Sequence, residues 1–192
     1  MRPQIGILGW GSLLWDERPD FDKQHDDWQF DGPLLKLEFS RVSSTRERAL
    51  TLVVDETNGV DTTVAWCRSR RHELMDAVAD LRCREGTTLA NIGRLSVAET
   101  AAQELGAPER AIAAWARERR LDAVVWTGLS SNFQAEAGVL FSVAGAVAHL
   151  RDLTPLGKAK AAEYIRRAPT FIRTPLRTAL EDEHWFVGQD DA

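Results

Sequence analysis

The stretch Ile5-Gly6-Ile7-Leu8-Gly9-Trp10-Gly11-Ser12-Leu13-Leu14-Trp15 limits what this chain can fold into more than any other. It opens as a short apolar run of the length of a buried strand, then breaks into a Gly-x-Gly-Ser loop. Glycine lacks a Cβ and opens positive φ, so the backbone can turn sharply while another group approaches closely. A strand that ends in exposed backbone N–H groups can hold an anion or a carboxylate in a nest of amides. A tight turn between two core tryptophans is the equally weighted alternative.

At 192 residues the chain has the length of one domain, taken here as residues 1–192. Its hydrophobic share of 44% and charged share of 28% are those of a globular protein. The net charge of −5 argues against nucleic acid or an anionic membrane as the main partner. Cys67 and Cys83 make no disulfide framework, which points to a reducing, cytoplasmic setting. No signal peptide is expected at the N-terminus, and no apolar run approaches the ~20 residues that span a bilayer.

Further along, Pro33–Ser40 alternates, with Leu35, Leu37 and Phe39 on one face, as a half-buried strand does. Ala49–Val54 reads as a strand, and Asn58-Gly59 as a hairpin turn into a strand over Val60–Cys67. Leu74, Ala77, Val78 and Leu81 set the face of a helix over Arg70–Arg84. Asn91–Val97 and Ala123–Thr127 read as strands. Between them, residues 97–120 form a helical insertion interrupted at Gly106-Ala107-Pro108. C-terminal helices begin at about residue 155, near Lys158–Arg167 and Pro175–Glu183. Strands interrupted by helices imply an α+β fold around a mixed or antiparallel sheet.

Glu85 lies eleven residues after Leu74, about 20° past a whole number of helical turns. A helix that continues so far puts this carboxylate in line with the apolar face, with Arg82 and Arg84 turned elsewhere. Partial desolvation there suits a carboxyl group to proton transfer. If the helix stops at Arg84, with Gly86 as its terminator, Glu85 is instead an exposed cap residue. Arg46 and Arg48 lie between two strands. An arginine there has the chemistry to clamp a substrate carboxylate, although a solvated loop is the commoner outcome. His25, His72, His149 and His184 are scattered, and none pairs at metal-ligand spacing. Asp20, Asp22, Asp26 and Asp27 read as a solvated acidic loop rather than a cation site. Leu14 occupies the third glycine position of a dinucleotide fingerprint. Ser12 lies outside a Gly-x-Ser-x-Gly elbow and needs a nearby histidine to act as a nucleophile.

Taken together, these segments resemble the gamma-glutamylcyclotransferase-like superfamily, especially its ChaC-type branch. Gly9-Trp10-Gly11-Ser12-Leu13-Leu14-Trp15 is similar to that family's Gly-Tyr-Gly-Ser-Leu-x-Trp loop. Val64-Ala65-Trp66 resembles its Gly-Val-Ala-Tyr strand, and Leu81-Arg82-Cys83-Arg84-Glu85-Gly86 the segment bearing its catalytic glutamate. Val124-Val125-Trp126 resembles a later strand that ends in an aromatic residue near the site. The resemblance implies a small mixed β-barrel flanked by helices. It also implies an enzyme that cyclises a gamma-glutamyl amine or peptide to 5-oxoproline, releases the amine and needs no cofactor or metal. By this likeness Glu85 is the general acid/base. The backbone of Trp10, Gly11, Ser12 and Leu13 holds the substrate, and Trp126 borders it. Trp10 and Trp126 stand where the family carries tyrosine, so their positions offer no phenolic hydroxyl. That departure keeps a second reading alongside, a non-catalytic small-molecule-binding module on the same fold.

Overall fold

The computed structural model describes residues 2–102 and 104–187. The strands are β1 (Ile5–Gly9), β2 (Leu34–Val42), β3 (Leu50–Val54), β4 (Val60–Thr63), β5 (Ala65–Arg68), β6 (Ile92–Ser96) and β7 (Ala123–Thr127). The helices are α1 (Pro19–Asp22), α2 (Leu74–Glu85), α3 (Ala107–Glu118), α4 (Phe133–Ala137), α5 (Val143–Arg151), α6 (Pro155–Arg167), α7 (Pro175–Leu180) and α8 (His184–Val187). The fold is mixed α+β with two sheets, ordered β5-β1-β7-β6 and β3-β2-β4. Among the described residues neither sheet closes into a barrel. No helix among them is long and apolar enough to cross a membrane. The chain divides into two compact units, Met1–Leu35 with Thr63–Leu129 and Lys36–Thr62 with Ser130–Ala192.

In the first unit every residue of β1 is buried, as an inner strand covered on both faces requires. It pairs antiparallel with β5 and parallel with β7, with Ile5, Gly6 and Ile7 opposite Ala123, Val124 and Val125. Parallel neighbours end on the same edge of a sheet, so the glycine loop after β1 and the Trp126 end of β7 emerge together. Helix α2 buries Ala77, Val78 and Leu81, which join Ile5, Ile7, Leu13 and Val125 in one apolar cluster. Helix α3 starts with Pro108 in its first turn and buries Ile112, Ala113, Trp115 and Ala116. The helical stretch expected over 97–120 thus consists of a short 3-10 segment, Val97–Ala102, followed by α3.

Within the second unit the Asn58-Gly59 turn differs from the hairpin expected of it. Strands β3 and β4 are not neighbours, because β2 lies between them. Gly59 is absent from the positive-φ glycines, so it is not serving a two-residue hairpin turn. Its value is close approach: a Cβ there would meet Asp55 O at 2.5 Å and the Lys36 and Leu37 backbone at 2.7 and 2.8 Å. Asp55 ties this turn down. Its carboxylate accepts from Ser40 Oγ at 2.7 Å, Asn58 N at 2.9 Å and Thr57 N at 3.1 Å. Burial pushes the Asp55 carboxyl up, but these donors outweigh it and hold it below its ordinary range.

Leu35, Leu37 and Phe39 are buried as the alternation of β2 implies, but so are Glu38 and Ser40 on the other face. Glu38 is fully buried. Its carboxylate accepts from Phe39 N at 2.7 Å and from Leu176 N, at the start of α7, at 3.4 Å. Burial pushes this carboxyl above its ordinary range, against the opposing pull of the Thr174, Phe39 and Leu176 donors. The link from α6 to α7 is gathered by Arg177, whose guanidinium donates to the carbonyls of Pro169 and Ile172 at 2.8 and 3.0 Å and of Ala168 at 3.1 Å.

These two carboxyls have opposite pH signatures. The contribution of Glu38, with its raised folded value, is complete below the unfolded carboxylate range and is lost as pH rises through the folded one. That of Asp55, with its lowered folded value, is present above the unfolded range and is lost as pH falls through the folded one. Urea unfolding is therefore expected to show Glu38→Gln gaining on wild type as pH rises from 4 to 8, and Asp55→Asn gaining on wild type as pH falls from about 5 to 2. A pH-independent difference for either variant across its own span would contradict the assignment.

Candidate functional site

The glycine loop is built by one left-handed residue. Gly11 has φ of 61° and opens a 3-10 turn over Gly11–Leu14. Trp10 precedes it in extended conformation, with no side chain capping the turn. The first N–H groups of such a turn have no partner inside it. Ser12 O closes the loop by accepting from Asp16 N at 2.9 Å and Trp15 N at 3.3 Å. Gly9 permits a close approach just before the turn, since a Cβ there would lie 2.6 Å from the Trp28 ring. Trp10 and Leu13 are each only 7% exposed, Gly11 is buried as well, and Ser12 is half-buried.

Helix α2 delivers Glu85 as its last residue. Gly86 follows at φ of 58°, with its N–H on Cys83 O and the Thr87 N–H on Arg82 O, both at 3.2 Å, the paired pattern of a Schellman cap. The helix therefore runs one residue beyond the early-stop alternative. Its Glu85 side chain is 19% exposed, in keeping with a position that extends the apolar face.

The arginine just before it was placed elsewhere by helical spacing, and the structure corrects this. The Arg84 side chain is 5% exposed. Its Nη2 donates to Ser12 O at 3.0 Å and Asp16 O at 2.7 Å, and its Nη1 lies 3.9 Å from Glu85 Oε1. One guanidinium thus bonds the loop and lies beside the carboxylate. Angular spacing missed this because a long stem can run back along the protein surface before its charged head finds a partner. The only sequence signal was the Arg-Glu pair itself.

Trp126 is 7% exposed on β7. It sits opposite Gly93 of β6, where the missing Cβ gives its ring room. Arg46 belongs to the second unit, where its guanidinium lies 5.0 Å from the Tyr164 ring centre. In the same loop Arg48 donates to Glu136 Oε2 at 3.1 Å and Glu136 O at 2.9 Å, so that guanidinium is held in an exposed ion pair. His25 packs against Phe21 and Trp28 and bonds Asp26 O at 2.6 Å, while His149 bonds Arg48 O at 2.9 Å. No hydrogen bond joins a histidine to Ser12 among the described residues, so the seryl acyl-transfer idea lacks its base. Nor do three His, Cys, Asp or Glu side chains among these residues converge as metal ligands.

Compared with protein-family models, curated proteins and solved structures, the chain matches none.

Two substitutions test this geometry. Arg84→Met keeps the apolar stem but removes a buried charged donor from two carbonyls, and is expected to cost about 2 kcal/mol of unfolding free energy. Gly11→Ala places a Cβ on a left-handed residue and is expected to cost about 1–2 kcal/mol. Urea titration reads both, and wild-type stability in either variant would dismiss the corresponding constraint.

Proposed function

We propose that this protein is a gamma-glutamylcyclotransferase-like enzyme acting on a gamma-glutamyl amine or peptide. The observation that carries the reading is the single guanidinium of Arg84, bonded to the Ser12 carbonyl and paired with Glu85. Two segments recognised separately in the sequence, the glycine loop and the glutamate at a helix end, are thereby tied together. The barrel topology of that superfamily and a cytoplasmic location belong to this proposal.

The chemistry is an intramolecular displacement. The α-amine of the gamma-glutamyl group attacks its own γ-carbonyl carbon and closes a five-membered lactam. The bond from that carbon to the departing nitrogen breaks, giving 5-oxoproline and a free amine. Glu85 takes a proton from the α-ammonium, which frees the attacking lone pair, and returns a proton to the departing nitrogen. Nucleophile and electrophile belong to one molecule, so the protein's main task is to hold a folded, near-attack conformer. The backbone donors of Trp10, Gly11, Ser12 and Leu13 hold the substrate's carboxylate or amide and stabilise charge that builds on the γ-carbonyl oxygen. Arg84 fixes the direction of those donors. In a trans peptide the C=O and the following N–H point opposite ways, so a Ser12 carbonyl drawn to Arg84 turns the Leu13 N–H away from it. The reaction as written calls on no metal or cofactor. Trp126 borders the substrate in this reading.

The test is release of 5-oxoproline from a panel of gamma-glutamyl amino acids, amines and peptides, followed chromatographically. At least one is expected to turn over. Glu85→Gln is expected to lower kcat by about 100-fold or more while KM stays within a few-fold, because it removes proton transfer and keeps the shape. If no member of the panel yields 5-oxoproline but one stabilises the fold on heating, the second reading, a binding module without turnover, replaces this one.

A further inference from the structure

The Asn58-Gly59 turn, which does not make the hairpin its sequence suggests, carries a second chemical property. Of the chain's three asparagines, Asn58, Asn91 and Asn132, only Asn58 is followed by glycine. A residue without a Cβ leaves its backbone nitrogen open to the preceding side chain, and that nitrogen can attack the asparagine amide carbon. The folded chain ties up both reacting groups. The Gly59 N–H donates to Asp55 O at 2.8 Å. Gly59 is also pressed against β2, where a Cβ would meet the Lys36 carbonyl carbon at 2.7 Å and Leu37 N at 2.8 Å, so its backbone has little room to swing. Asn58 is half-buried. Its Nδ2 donates to Asp55 Oδ1 at 3.2 Å and Oδ2 at 3.1 Å, and its backbone N–H donates to Oδ1 at 2.9 Å. Asp55 is only 7% exposed and is fixed in turn by Ser40 Oγ. One residue therefore holds both reactants, the nucleophile through its carbonyl and the electrophile through its carboxylate.

We propose that Asn58 is a self-modification site, a slow deamidation switch that Asp55 keeps closed. When the turn opens, Gly59 N gives up its proton to water or hydroxide and attacks Asn58 Cγ. The new N–Cγ bond closes a five-membered imide. The Cγ–Nδ2 bond breaks, and the side-chain nitrogen takes up a proton and leaves as ammonia. Water then adds to one of the two imide carbonyls and opens the ring. The product is aspartate, or isoaspartate with the main chain running through the side-chain carbon. Neither product lets the turn close as before. Aspartate puts carboxylate oxygen where Nδ2 donated, against both oxygens of Asp55, and like charges so close repel. Isoaspartate adds a methylene to the main chain between Asn58 and Gly59, two residues that are both bonded to Asp55. Conversion thus exchanges contacts that close the turn for one that holds it open. All of these residues lie in the second unit, so the switch is independent of the gamma-glutamyl chemistry proposed for the first.

Peptide mapping by mass spectrometry reads the conversion directly, on the full chain aged in mildly alkaline buffer with and without concentrated urea. Asn58 is expected to convert in urea, and at least about tenfold more slowly in the folded chain, where attack waits on local opening of the turn. Asp55→Asn is expected to raise the folded rate several-fold and to leave the rate in urea unchanged. Asn58→Asp installs one product directly and so tests the switch without relying on the folding of the Asp55 variant. Its urea midpoint at neutral pH is expected to fall below that of Asn58→Ala, because alanine only deletes the bonds to Asp55 while aspartate adds repulsion. No conversion in urea, equal rates in the folded and unfolded chain, an unchanged folded rate in Asp55→Asn, or an Asn58→Asp as stable as Asn58→Ala would each overturn the proposal.

Discussion

The first unit depends on what happens at one carbonyl oxygen. Ser12 O accepts from Trp15 N, Asp16 N and the buried guanidinium of Arg84. A single peptide group is thus held by its own turn and by a helix remote in sequence. The helical donor carries a full charge, so its hydrogen bonds are stronger than neutral ones. It is also sequestered from water, and dropping the contact would strand a buried cation. A cation stranded in this way costs more than the bond itself contributes. The loop conformation and the position of the last turn of α2 are therefore not independent variables.

This coupling works because the sheet has already put the two partners at the same end. Pairing β1 parallel to β7 brings their C-terminal ends together, and the antiparallel β5 returns the chain toward the start of α2. The apolar face of that helix then settles its rotation and depth. Packing in this unit is nondirectional and places the helix only approximately. The directional bonds of Arg84 and the left-handed Gly86 cap settle the remaining degrees of freedom.

Legibility in the sequence followed from the range of each interaction. Strand β1, the alternation of β2 and the apolar stripe of α2 could be read because burial on one face is written locally, as a period. Gly11 was readable as a turn residue because positive φ is a property of one residue. The Asn58-Gly59 turn was misread because its glycine serves an approach to the backbone of Lys36 and Leu37, strands away in sequence. The half-buried strand expected over Pro33–Ser40 leaves Glu38 on the face opposite Leu35, Leu37 and Phe39, yet Glu38 is buried. Its covering partner, the start of α7, lies well over a hundred residues downstream. Arg84 was turned away from the site for a related reason, since angular spacing follows Cβ directions and ignores where a long flexible side chain ends.

The two tryptophans that depart from the family pattern are best understood through burial. Trp10 and Trp126 are each 7% exposed, and Trp126 fills the space left by Gly93. An indole in such a place contributes area and shape. In the proposed enzyme, recognition at the loop therefore rests on main-chain groups, which no side-chain replacement at position 10 can remove. The polar work passes to donors fixed by Gly11 and Arg84 and to the one carboxylate at the end of α2. A loop that binds through its backbone tolerates exchange of tyrosine for tryptophan, provided the larger ring still packs. Within the proposed chemistry, the glycines and the guanidinium behind the loop are stricter requirements than the aromatic residue between them.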